Sequence, residues 1–359
     1  MRTHHQFLQS TITQKKSFLP AATMAMILIF FLFSSDLPAQ GKQYASLGNF
    51  KLENGSTIYD CRIAYKTHGK LNEKKSNAIL FPTWFTGTTK DLEHIVPGIL
   101  VDTNEYFLIL ADALGDGISS SPSNSVRQHG LLFPEFSIKD MVESEYAMLI
   151  KHFNIQHLYA VSGISMGGMQ AFQWAVSHAD FVDKIIPIVG TPQVNATDLL
   201  LWSGELQAIE RDSAYHHGKY KGLPPIPTVS IIHQLALRTP GYLPLNLSRD
   251  SFDTWLLRIS TSEHFDWNNR IRQLQAMMSM DIAKGMNGSL EEAAKKISAK
   301  MLIIVAKQDH MVNPIPASKL AGIIHASLIE LEGDCGHTAP GCEMDKMQPA
   351  IAAFLNEKN

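Results

Sequence analysis

Gly163-Ile164-Ser165-Met166-Gly167-Gly168 sets a serine between two glycines, directly after the apolar run Leu158 to Val161 and just before a helix-patterned stretch, Met169 to His178. A strand, a sharp turn with serine at its tip and a helix together make a nucleophile elbow. Side chains at the flanking positions would collide with neighbouring backbone, which is why Gly163 and Gly167 stand there. A serine hydroxyl is a poor nucleophile at neutral pH, so it needs a base within hydrogen-bond reach and a carboxylate to orient that base. Asp309 follows the run Met301 to Ala306, and His337 ends the glycine-flanked stretch Gly333-Asp334-Cys335-Gly336-His337. Serine, acid, histidine is the chain order that this elbow uses. The rivals are worse placed. Asp334 would have to fold back over three residues, Asp281 lies in a helical region, and neither His310 nor His325 sits on a glycine-flanked loop after a strand. The chemistry indicated is acyl transfer, with Ser165 as nucleophile, His337 as general base and Asp309 as orienting acid. Its oxyanion needs two backbone donors. Met166, after the nucleophile, is one. Phe85, in the loop Pro82-Thr83-Trp84-Phe85-Thr86-Gly87, is the candidate for the other; Trp84 and Phe85 can fill the core while the backbone still donates.

The elements that would position these residues are short apolar runs bounded by polar turns: Ala78 to Phe81, Tyr106 to Ala111, Leu158 to Val161, Lys184 to Ile188, Met301 to Ala306 and Ser327 to Leu331. Runs of this length without alternation suit strands buried on both faces. Helix-periodic segments, Ile138 to Phe153 and Met169 to His178, separate them. Alternating strand and helix predicts an α/β fold with a mostly parallel, doubly wound sheet, and the elbow narrows it to the α/β-hydrolase fold. Between residues 191 and 297 the pattern turns helical, over Asp198 to Arg211, Pro227 to Leu237, Ser251 to Ile259 and Asn268 to Ile282. This reads as a lid over the carboxyl ends of the strands, inserted into a core of residues 40–190 and 298–359. Its aromatics, Trp202, Tyr215, Tyr220, Phe265 and Trp267, either line a pocket or form the lid's own core, with core favoured.

Residues 1–39 differ from the rest. Basic residues precede the apolar run Met24 to Phe33, and Leu37-Pro38-Ala39 ends on a small residue before Gln40. That is a signal-peptide layout, too short in its apolar part for a comfortable permanent span, and it implies an exported, periplasmic or secreted protein; an uncleaved anchor is the alternative. A net charge of -3 carries no basic excess, arguing against nucleic acid or a polybasic membrane patch. The expected partner is a small-molecule ester or acyl donor. With three cysteines there is no disulfide framework, although Cys335 and Cys342 flank His337 and could pair or remain free thiols. No CxxC or HExxH spacing occurs and His216-His217 is weak evidence, so no metal is expected.

Several blocks of this sequence resemble the homoserine O-acetyltransferases and their relatives: residues 64–72 (AYKTHGKLN), 77–87 (NAILFPTWFTG), 114–124 (LGDGISSSPSN) and 165–174 (SMGGMQAFQW), with the Asp309 and His337 regions. The resemblance covers nearly all of the expected mature chain. It implies the same triad, the same two oxyanion donors and, by analogy, a homodimer through the lid. One departure bears on substrate. The resemblance implies an aspartate directly after the triad histidine to hold homoserine's amino group, whereas Thr338 stands here. With the export signal, which leads away from acetyl-CoA, this points to water as acceptor and to an exported carboxylic-ester hydrolase needing no cofactor. The alternatives are an O-acyltransferase for homoserine or a related alcohol, using acyl-CoA, and a catalytically silent protein that keeps the fold but captures a ligand in the lid pocket.

Overall fold

The computed structural model describes residues 43–261 and 264–357. The leader read over residues 1–39 lies outside the described residues. Eight strands, β1 (Gln43–Lys51), β2 (Thr57–His68), β3 (Ala78–Pro82), β4 (Phe107–Ala111), β5 (Leu158–Ile164), β6 (Val182–Ile188), β7 (Lys300–Ala306) and β8 (Ser327–Leu331), form one sheet in the order β1-β2-β4-β3-β5-β6-β7-β8. β2 runs antiparallel to β1 and to β4, and every other neighbouring pair is parallel. All six apolar runs of the sequence are strands here. β3 is buried along its whole length, as its unbroken apolar run requires. The sequence reading does not include β1 and β2. Register shifts on either side of Gly48 break the period-two pattern of β1, so no clean alternation marks it.

Helices cover the sheet. α1 (Ile138–Met148) starts where Ser137 and Asp140 cap each other reciprocally, and it runs on through a π-helical turn, Leu149–Phe153, that stops at Asn154 in the left-handed conformation. α2 (Met166–Ser177) follows β5 and is buried over most of its length. After β6 come α3 (Ala196–Arg211), α4 (Pro227–Leu237), α5 (Phe252–Thr261) and α6 (Trp267–Met278), close to the four helical stretches expected. α3 and α6 are capped by Asn195 and Asp266, whose side chains accept from the first helical N–H groups. α7 (Ile315–Ile324) and α8 (Met344–Asn356) complete the chain. The helical segment after β6 belongs to the same compact unit as the sheet.

Going outward from β3, the chain passes to β4 on one side of the sheet and from β5 to β6, β7 and β8 on the other. Loops at the carboxyl ends of β3 and β5 therefore diverge and leave a crevice between them, the place where open α/β sheets bind ligands.

Candidate active site

Four strand ends supply the site. Ser165 follows β5, the turn carrying Phe85 follows β3, Asp309 follows β7 and His337 follows β8. Ser165 has φ 58° and ψ -118°, a conformation that L-residues rarely adopt and that persists only where the surroundings over-determine it. Its neighbours show how: a Cβ on Gly163 would lie 2.3 Å from the Gly167 carbonyl oxygen, and one on Gly167 would lie 2.6 Å from that of Pro82. Only glycine lets the turn close this tightly. Ser165 also occupies the N-cap of α2, where a serine ordinarily accepts from the helix's own N–H groups. It makes no such cap. Its Oγ instead lies 2.7 Å from His337 Nε2, and His337 Nδ1 lies 2.6 Å from Asp309 Oδ2.

The other oxygen of Asp309 accepts from the N–H groups of Met311 (2.8 Å) and Val312 (2.9 Å), so the carboxylate is held from both sides. Its side chain is buried, as is most of the His337 ring. A disulfide joins Cys335 and Cys342, with Cα atoms 6.5 Å apart, and closes the short loop around His337. Pairing is thus the outcome for the alternatives left open by the spacing.

Around Phe85 the chain makes a turn in which Gly87 N–H donates to the Trp84 carbonyl and Thr86 has φ 61°. Among the described residues, the Phe85 N–H donates to no protein acceptor. Met166 is the first residue of α2, whose opening N–H groups have no intrahelical acceptor. Both are free to meet an anion. α6 holds the Phe85 turn: Gln273 Oε1 accepts from Thr86 N–H at 2.9 Å, Gln273 Nε2 donates to the Leu114 carbonyl at 3.2 Å, and the Arg270 guanidinium sits 5.0 Å from the Phe85 ring centre.

Ser165, His337 and Phe85 border a cavity of about 330 Å³ whose walls include Trp84, Ile95, Trp202, Met277 and Val312. Of the five lid aromatics, only Trp202 reaches it. Tyr215 and Tyr220 bond to Asn268 and Asp266, and the Trp267 indole donates to the Pro224 carbonyl, so these pack the helical segment itself. The rival residues are elsewhere. His310 and His325 are exposed, Asp281 accepts from Gln193 and Ala283 N–H, and Asp334 pairs with Gln308.

Sequence reasoning missed three groups. Asp198, in the first turn of α3, accepts from Asn313 N–H at 2.8 Å and so ties the helical segment to the loop that begins at Asp309. Burial, helped by the nearby negative charge of Asp309, pushes its carboxyl up to about 6 despite the bonds from Asn313 and Asn195. The Asn195-x-x-Asp198 spacing signals a helix cap, but nothing in it signals the loop. Gln273 gives no signal at all. Nor do Glu205 and Arg270, a buried ion pair 3.0 Å apart that also takes in His233.

A sheet with this strand order, a serine on a strand-to-helix elbow and a histidine–carboxylate pair beside it define an α/β hydrolase, and the α/β-hydrolase fold family model matches residues 78–215. Over 353 residues the chain is 30% identical to a homoserine O-acetyltransferase of Methanococcoides burtonii, covering 86% of this chain and 72% of that one. It is also 30% identical to an ethyl acetate hydrolase of Pseudomonas veronii, over 74% of this chain and 79% of that one. Among solved structures, the acetyl esterase MekB superposes with a TM-score of 0.81 at 27% identity, covering 89% of this chain and 97% of that one. The chain belongs to the homoserine O-acetyltransferase-like family of α/β hydrolases, which holds both esterases and O-acetyltransferases, and it is an enzyme of that kind.

Proposed function

We propose that this protein is an exported carboxylic-ester hydrolase for small esters, working through an acyl-serine intermediate. In this mechanism His337 Nε2 takes the Ser165 hydroxyl proton as Oγ adds to the ester carbonyl, and the Phe85 and Met166 N–H groups meet the oxyanion. Asp309 holds the imidazole with its proton on Nδ1 and balances the charge that develops. The alcohol leaves with the proton from His337. Water then enters by the same path in reverse and frees the acid. No cofactor or metal takes part in this scheme, residues 191–297 act as the lid, and residues 1–39 as the export signal.

One observation carries the choice of water over homoserine. Among the described residues no carboxylate lines the cavity, and the position after His337 is Thr338, whose hydroxyl is turned back onto the Cys335 carbonyl at 2.8 Å. A substrate ammonium group would enter a cavity with apolar walls and no counter-charge, which is unfavourable. A volume of about 330 Å³ lies at the small end of ligand sites, about 300–1,000 Å³, which suits short acyl and alcohol groups. The names of the esterase relatives point the same way, while the acetyltransferase relatives support transfer from acyl-CoA to homoserine as the second reading.

The test pairs short-chain p-nitrophenyl esters with an acetyl-CoA plus homoserine assay on protein beginning at Gln40, with Ser165→Ala as blank. Ester turnover without homoserine acetylation is expected. Acetyl transfer to homoserine faster than hydrolysis would overturn the proposal, and absence of any Ser165-dependent acylation would leave a ligand-capturing protein.

A further inference from the structure

Most polar groups on the cavity wall are already committed. Ser165 and His337 bond to each other, and the Thr338 hydroxyl is on Cys335. His233 differs. It reaches the same cavity from α4, with its ring centre 6.2 Å from that of Phe85. Its Nδ1 lies 2.9 Å from Oε1 of Glu205, a fully buried residue of α3, and the second oxygen of Glu205 accepts from Arg270 Nη2 of α6 at 3.0 Å. Three helices thus each give one side chain to a network that ends at the cavity. Burial alone would raise the Glu205 carboxyl, but His233 and Arg270 outweigh it and hold it below its ordinary value, so Glu205 is a standing acceptor.

A carboxylate on Nδ1 decides the tautomer. With Nδ1–H given to Glu205, Nε2 accepts from a hydroxyl when the ring is neutral and donates to one when the ring is charged. Among the described residues no protein group bonds to that Nε2. Arg270 lies 3.3 Å from Nδ1, on the side already facing Glu205. The ring is only partly exposed and lines the cavity, so Nε2 is the polar atom left for whatever fills it. Stability does not account for such a network, because a buried ion pair contributes little that apolar packing of the same volume would not.

We propose that His233 Nε2 is a specificity-determining hydrogen-bonding atom that selects esters carrying a hydroxyl on their acyl or their alcohol part. An all-carbon substrate that displaces water from Nε2 leaves a buried polar atom unpaired, whereas a hydroxyl at that place, able to donate or accept, restores the bond. The inference rests on the ester-hydrolase reading and refines its substrate class.

Two pairs of esters that differ only by CH₃ against OH test it: propyl acetate with 2-hydroxyethyl acetate for the alcohol side, and methyl propionate with methyl glycolate for the acyl side. The readout is the hydroxyl-to-methyl ratio of kcat/KM in the wild type divided by that in His233→Leu, because the intrinsic reactivity of each ester cancels in it. A drop of about tenfold in one pair is expected, the worth of one hydrogen bond, and the pair that drops shows which side of the substrate is read. If His233→Leu does not fold, His233→Asn takes its place: it keeps a donor for Glu205 but is too short to present a polar atom in the cavity. Wild-type hydrolysis with both ratios unmoved by the variants overturns the inference and leaves the hydrolase reading standing. An equal fall in both members of each pair does the same, since it marks a merely structural role. Failure of the wild type to hydrolyse any of the four esters removes the hydrolase reading and this inference with it.

Discussion

Replacing Asp309 by asparagine removes a charge while keeping the shape, and the surroundings of Asp309 dictate how the new amide must sit. Oδ1 accepts two backbone N–H groups, from Met311 and Val312, at 2.8 and 2.9 Å. An amide nitrogen in that place would set donor against donor twice, so the amide oxygen stays there and the NH₂ turns toward His337. That NH₂ then faces Nδ1 across the 2.6 Å now spanned by the carboxylate contact. Two donors cannot face each other, so the imidazole moves its proton from Nδ1 to Nε2. Nε2 can then no longer accept the Ser165 proton across their 2.7 Å contact, and general-base catalysis stops. The expected loss in kcat is about 10⁴-fold, equivalent to about 5 kcal/mol of transition-state stabilisation. The assay is the pre-steady-state burst of p-nitrophenol from p-nitrophenyl acetate, with circular dichroism confirming that Asp309→Asn folds like the wild type. A loss of less than about tenfold in the acylation rate would refute the tautomer argument and with it the role given to Asp309.

Other outcomes follow from the same geometry. Glu145 is fully buried and, among the described residues, accepts only the Trp174 indole N–H, at 2.7 Å; burial pushes its carboxyl up to about 8 against that bond. A raised carboxyl binds its proton more tightly when folded, so stability falls as pH rises from about 4.5 through about 8. Glu145→Gln should flatten that stretch of a Tm-against-pH curve, and an unchanged slope would count against the assignment. Gln273→Leu leaves the Thr86 N–H without its acceptor and frees the Phe85 turn, so kcat should fall about tenfold with KM little changed, measured by steady-state ester hydrolysis. Cys342→Ser opens the loop of seven residues' separation that carries His337 and should lower stability by about 2–3 kcal/mol in urea unfolding; a midpoint equal to the wild type would show that the bridge does not constrain the unfolded chain.

Much of this molecule is written locally. The strands from β3 to β7 are legible because burial on both faces demands an unbroken apolar run, β8 by its short run alone although it is largely exposed, and the elbow because the positions two before and two after Ser165 admit only glycine. Asp309 and His337 follow from the rule that ligands meet open sheets at the carboxyl ends of strands. What the sequence does not carry is anything that depends on two distant segments meeting. β1 hides behind its register shifts, and its place at the sheet edge is decided by pairing with β2. Gln273 stands 187 residues from the Thr86 it holds, and Glu205 is 65 residues from Arg270. Each looks like an ordinary polar residue of an amphipathic helix, and only packing α3, α4 and α6 against one another buries them together and turns their hydrogen bonds toward the cavity. Local backbone requirements leave a trace at the position itself; the chemistry of a buried contact belongs to the pair, and the pair exists only in the folded chain.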